Sequence, residues 1–114
     1  MEEFVMIIRL TRLPEVNFSP AEMQAGMAVW ENWVKDIIDR GILVSRGNRL
    51  AEDGRTIRNG AIVTNGPYVE TKEIIGGYLI IRANSIDEAA EIARSAPLVG
   101  NGSIELRGVY TAKD

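Results

Sequence analysis

At 114 residues the chain has the length of one domain, and 46% hydrophobic residues supply a core without disulfides or metals. A formal net charge of −3, with lysines and arginines scattered among carboxylates, argues against a nucleic-acid partner, which needs a massed basic surface. Cysteine and histidine are both absent, which excludes thiolate nucleophiles, imidazole bases and the usual zinc ligand sets; a metal would need oxygen ligands alone, and no cofactor is expected.

Phe4-Val5-Met6-Ile7-Ile8-Arg9-Leu10 reads as a strand, apolar on both faces and so central in its sheet. The run is too short to cross a bilayer and lacks the basic flank of a signal peptide, so the expectation is a cytoplasmic protein with no membrane partner. Pro14 and Asn17 mark a loop. Ser19-Pro20-Ala21-Glu22 then combines a capping box with proline at the first helical position. Met23, Met27, Trp30, Val34 and Ile37 follow at helical spacing as one apolar stripe, and Gly41 ends the helix in a left-handed cap.

Ile42 to Leu50 reads as a second strand, interrupted at Arg46-Gly47-Asn48. The turn dipeptides Asp53-Gly54 and Asn59-Gly60 bracket short strands at Thr56-Ile57-Arg58 and Ala61-Ile62-Val63-Thr64. Gly76 to Ala83 is a further central strand. Its diglycine precedes a strand rather than a helix, so it lacks the geometry of a phosphate loop. Ser85-Ile86-Asp87-Glu88 repeats the capping-box pattern, with Ala89, Ile92, Ala93 and Ala96 carrying a helix to Pro97; Asn101-Gly102 turns into a last strand, Ile104 to Tyr110.

The order is two βαβ-like halves with a hairpin between them, which is the ferredoxin-like α+β pattern with an antiparallel sheet in a single domain. Val5, Ile7, Leu79 and Ile81 alternate with Met6, Ile8, Tyr78 and Ile80, so both sheet faces read as apolar. Helices cover one face. A second copy of the sheet is the simplest cover for the other, so a homodimer is expected.

Asn65-Gly66-Pro67-Tyr68, followed by Val69-Glu70-Thr71-Lys72-Glu73 and Gly76-Gly77-Tyr78, is the most informative stretch. It resembles the Asp-Gly-Pro-Phe signature of the YCII-related family, with conservative changes at Asn65 and Tyr68. Similarity extends over nearly the whole chain, through Pro20-Ala21-Glu22-Met23 and Gly41-Ile42-Leu43. The resemblance implies the dimeric α+β-barrel arrangement. Better-studied members are similar to enzymes that use a histidine on the first helix with a nearby acid. Aligned backward from Gly41, that position falls near Trp30, so this chain cannot follow that mechanism.

Three function classes stay open. A small-molecule-binding domain would use a pocket between the sheet and the first helix, lined by Trp30, Trp33 and Tyr68, with Tyr78 as a further aromatic in reach. Asn65 would form the pocket's turn, Glu70 and Lys72 its mouth, and Arg9 would hold the carboxylate of a small acid ligand. Each residue also has a plain structural role: Trp30 and Trp33 as core, Glu70 and Lys72, with Glu73, as a solvated connector, and Arg9 in an ion pair with Glu105. The resemblance also implies a lyase or isomerase acting on a small cyclic or aromatic acid, since one branch removes chloride from chlorinated hydroquinones. Catalysis would then fall to Glu22, Asp36, Glu70 or Lys72 with Tyr68 and Arg9. A third class is an accessory module, because such proteins often occur beside extracytoplasmic-function sigma factors.

Overall fold

Strands and helices succeed one another in the order the sequence suggests, as β1 (Glu2–Thr11), α1 (Pro20–Asp39), β2 (Leu43–Ser45), β3 (Thr56–Arg58), β4 (Ala61–Thr64), β5 (Glu73–Ala83), α2 (Ile86–Arg94) and β6 (Gly102–Gly108). The computed structural model describes residues 1–11, 19–51, 53–64, 73–98 and 102–111. β2, β5, β1 and β6 form one sheet in that order with every neighbouring pair antiparallel, and β3 and β4 form a separate hairpin. Two helices packed on such a four-stranded sheet make the ferredoxin-like α+β fold.

Both helix starts follow from their caps. Ser19 Oγ accepts the Glu22 N–H at 3.1 Å while the Glu22 carboxylate accepts the Ser19 N–H at 3.2 Å, a closed capping box. At the other end Gly41, with φ +72°, donates to Ile38 O at 3.0 Å and Ile42 donates to Ile37 O at 2.9 Å, the Schellman pattern. Ser85 caps α2 through the Glu88 N–H at 3.1 Å, but the Glu88 carboxylate reaches one residue further back, to the backbone and side-chain amides of Asn84. α2 stops at Arg94 rather than at Pro97. The Ser95 hydroxyl donates to Ile92 O at 2.7 Å, and Pro97 disfavours helical geometry at Ala96.

Strand boundaries move where pairing extends or cuts them. β5 begins at Glu73, because Glu73, Ile74 and Ile75 pair with Thr11, Leu10 and Arg9 of β1. Glu73 is therefore part of the sheet, not of a connector. β6 runs from Gly102, opposite Leu10, to Gly108, opposite Phe4, two residues earlier at each end than the apolar pattern suggests. The second strand is cut after Ser45. Gly47 takes φ +59°, and the chain rejoins β5 through a bridge from Arg49 to Gly77 and a bond from Leu50 N to Gly76 O at 2.8 Å. A Cβ at Gly47 would strike the Tyr78 carbonyl, so this detour admits no side chain.

Register assigns the faces. Phe4 lies opposite Ile81 and Met6 opposite Leu79, and these four with Ala83, Ile37, Ala89 and Ile92 form the buried core beneath the helices. Val5 lies opposite Ile80 and Ile7 opposite Tyr78, all half-buried on the outer face. The grouping of Val5 and Ile7 with Leu79 and Ile81 is thus corrected: periodicity fixes which residues of one strand share a face, and the register fixes which face of the next strand joins it. The molecule measures 44 × 39 × 19 Å. A thickness of 19 Å leaves room for one sheet and one helix layer, consistent with an outer sheet face that carries no helix.

Candidate functional site

Helix α1 is fastened on both flanks from its middle onward. On one side the Trp33 indole N–H donates to Ser95 Oγ at the end of α2, at 2.9 Å. On the other, the Arg46 guanidinium donates to both carboxylate oxygens of Glu31 at 2.9 Å, tying the Gly47 detour to the helix. Trp30 and Trp33 lie with ring centroids 5.1 Å apart and planes tilted by 34°, and both pack half-buried against the core. Val34 and Ile37 complete the buried part of the stripe.

Beyond Trp30 the stripe loses its cover. None of residues 20–29 is buried, and Met23 and Met27 are 45% and 53% exposed. The sheet beneath changes in step. α1 ends beside the start of β1, since Ile42 O accepts the Arg82 N–H at 2.9 Å and Arg82 pairs with Glu3. A helix of this length spans about 30 Å and β1 about 33 Å, so the first half of α1 runs over the second half of β1. There the inner-face residues Ile8 and Leu10 are half-buried, whereas Phe4 and Met6 are buried. Gly76 and Gly77 of β5 add no side chain at this end. Met23, Met27 and Trp30 on the helix and Ile8 and Leu10 on the inner face of the strand are thus less covered than Val34, Ile37, Phe4 and Met6. Residues 12–18 join β1 to α1 and residues 65–72 lead into β5, so both segments attach to this end of the sheet by chain connectivity.

Arg9 belongs to the opposite face. It follows Val5 and Ile7 in the alternation of β1, and its guanidinium donates to Glu105 Oε1 at 2.8 Å, with side chains 30% and 40% exposed. Arg107 approaches the other oxygen of Glu105 at 3.8 Å, too long for a hydrogen bond. The ion pair expected between Arg9 and Glu105 is therefore present. The Arg9 hydrogen bond holds the Glu105 carboxyl below its ordinary value; partial desolvation opposes this, and the charges of Arg9 and Arg107 add to the lowering. A depressed folded-state pKa contributes stability that is complete above the unfolded value and is lost as pH falls through the folded one. The expected outcome is that wild type and Glu105→Gln differ in urea midpoint at pH 7, that the difference starts to shrink as pH falls below about 4, the ordinary glutamate range, and that it closes only below the lower folded-state value. Equal midpoints at pH 7 would show the pair to be neutral for stability.

The predicted site residues do not all meet. Trp30 packs half-buried against the core, Trp33 is turned to Ser95, and Arg9 is separated from both by the sheet. Tyr78 also lies on the outer face, where its hydroxyl accepts from Asn48 Nδ2 at 3.3 Å. Asn65, Tyr68, Glu70 and Lys72 lie outside the described residues. Of the carboxylates considered for acid–base work, Glu22 is engaged in the capping box and Asp36 accepts from Arg40 at 3.3 Å, both exposed. Met23 and Met27 were legible as members of the stripe but not as its exposed end. Two grooves, of about 360 Å³ between α2 and β6 and about 310 Å³ between α2 and the end of α1, contain none of the predicted site residues. Among the described residues no helix is long and apolar enough to cross a membrane.

Comparison with known proteins agrees with the sequence resemblance. The family model for the YCII-related domain matches residues 18–113. No curated protein matches the chain.

Proposed function

The chain belongs to the YCII-related family, and from that premise we propose that it is a homodimeric small-molecule-binding protein whose ligand enters between α1 and the second half of β1. The observation that carries this reading is the matched loss of burial along the two facing elements: Ile37, Val34, Trp30, Met27 and Met23 on the helix, and Met6, Ile8 and Leu10 on the strand. A row of apolar side chains that stops being covered on both sides of one gap is what an apolar binding site requires.

Dimerisation rests on the outer face. Val5, Ile7, Tyr78 and Ile80 form a continuous apolar strip over the two central strands. Four strands about 4.8 Å apart, the central two ten and eleven residues long, give a face of roughly 20 by 35 Å, of the same order as the ~800 Å² that each partner contributes to a standard interface.

Native mass spectrometry of protein purified gently from its own host tests both parts. The expected spectrum is a dimer carrying a small molecule. An empty dimer, with no compound in a ligand library raising its melting temperature, would defeat the binding reading. A monomer at micromolar concentration would defeat the dimer.

A further inference from the structure

The strand order β2-β5-β1-β6 leaves one side of β6 without a neighbouring strand among the described residues. One bond tells which residues face that side. The Val109 N–H donates to Glu3 O at 3.0 Å, and bonded pairs alternate along an antiparallel ladder, so Arg107, Glu105 and Ser103 bond to Val5, Ile7 and Arg9 of β1 in the same register. The N–H and C=O groups of Ile104, Leu106 and Gly108 therefore point away from the sheet. The usual guards of an open edge are missing: β6 contains no proline or lysine, and its pairing with β1 has no bulge. Beside this edge runs the groove of about 360 Å³ between α2 and β6, lined by Ile104 and Leu106 on the strand and by Ala90, Ala93 and Ala96 on the helix side.

We propose that this edge pairs antiparallel with β6 of a second copy, Leu106 meeting the partner's Leu106 on the two-fold axis. Residues opposite each other must share a face, so a symmetric register centres on one residue. Centring on Glu105 or Arg107 sets like charges directly opposite, which is destabilising. Centring on Ile104 sets Glu105 against Ser103 and joins no ions. Centring on Leu106 sets Glu105 opposite the partner's Arg107 and Arg107 opposite the partner's Glu105, and it brings the outward groups of Ile104, Leu106 and Gly108 into about six backbone hydrogen bonds. Both ions can take part: Arg9 holds Oε1 of Glu105, and Arg107 is exposed and 3.8 Å from Oε2, beyond hydrogen-bond reach. With the axis perpendicular to the sheet, inner face continues into inner face, and the partner's Leu106 enters the groove beside α2. The seam is distinct from the outer-face dimer. A strand pair this short buries less than the ~1,200 Å² of a stable interface, so it joins copies only above the micromolar concentrations at which that dimer is weighed.

Disulfide trapping at submillimolar concentration tests the pairing, since the chain has no cysteine of its own. Leu106→Cys puts the two thiols on Cα atoms about 5.5 Å apart, within disulfide reach. Ile104→Cys, half-buried on the same face, puts them about 14 Å apart, out of reach. Each rate of cross-linking is divided by that variant's rate with a small neutral disulfide, which removes differences in thiol reactivity. Leu106→Cys is expected to cross-link at least about tenfold faster than Ile104→Cys, and adding Arg107→Glu, which opposes like charges across the seam, should slow it about tenfold. Sedimentation equilibrium reads the same association without cysteines: the wild-type mass should rise above its micromolar value at submillimolar concentration, and that of Arg107→Glu, changed only at an exposed position, should not. Equal cross-linking of the two cysteine variants, or a wild-type mass that does not rise, overturns the pairing. A Leu106→Cys rate unmoved by Arg107→Glu overturns the register and the charge match on which the choice of a second copy rests.

Discussion

Replacing Ile81 by alanine should lower the free energy of unfolding by about 2–5 kcal/mol, the range for large-to-small changes at fully buried aliphatic positions. Ile81 has no exposed surface and sits on β5 between Phe4 of β1 and Leu43 of β2, beneath the helices. Strands pair on both sides of it, so the backbone cannot close the space that a lost side chain leaves, and the cavity remains. A domain of this size holds about 5–15 kcal/mol in total, so one such loss removes a large share. Urea unfolding followed by circular dichroism measures it, with an unchanged slope expected because the surface exposed on unfolding hardly alters. Ile80→Ala, one residue away and on the outer face, is the control, and its effect on the isolated fold should be clearly smaller. If the two variants lost equal stability in a monomeric background, the assignment of faces from the register would be wrong.

That assignment is also where sequence reading reached its limit. Local signals served well where the chemistry is local. Ser19, Pro20 and Glu22 begin a helix, Gly41 ends it, and Asn59-Gly60 closes a hairpin, and each operates within a few residues. Features that depend on distant partners were not legible. The Trp33 indole finds Ser95 sixty-two positions away, and nothing near Trp33 indicates that it serves as a tie between helices. Likewise a stripe of five apolar residues on α1 predicts one buried face, but how far the helix stays in contact with the sheet depends on packing at long range. The one sequence hint is a change of residue type, from Val34 and Ile37 over the packed end to Met23, Met27 and Trp30 over the other. Adaptable side chains replace stiff ones where the partner surface recedes. Arg9 illustrates the converse. Its strand position was read correctly and its partner Glu105 was named, yet the face it occupies follows only from the pairing of β1 with β6.

The outer face carries the second large effect. Ile7→Glu should convert the dimer proposed here into a folded monomer. Ile7 lies at the middle of β1, flanked by Tyr78 of β5 and Glu105 of β6, and it is not part of the core beneath the helices. In a two-fold interface the same patch meets itself, so a single substitution introduces two carboxylates, one from each copy. Each would lose its water against an apolar strip, and each would stand beside Glu105, whose own charge is already engaged by Arg9. The monomer should nonetheless keep its helical and strand signal, because a glutamate on an uncovered sheet face remains in water. Light scattering coupled to size exclusion, with circular dichroism alongside, reads both quantities. A variant that stayed dimeric would move the interface away from this face, leaving Val5, Ile7, Tyr78 and Ile80 as an apolar strip with some other cover. A variant that unfolded would place Ile7 within the core and so contradict the register that separates the two faces.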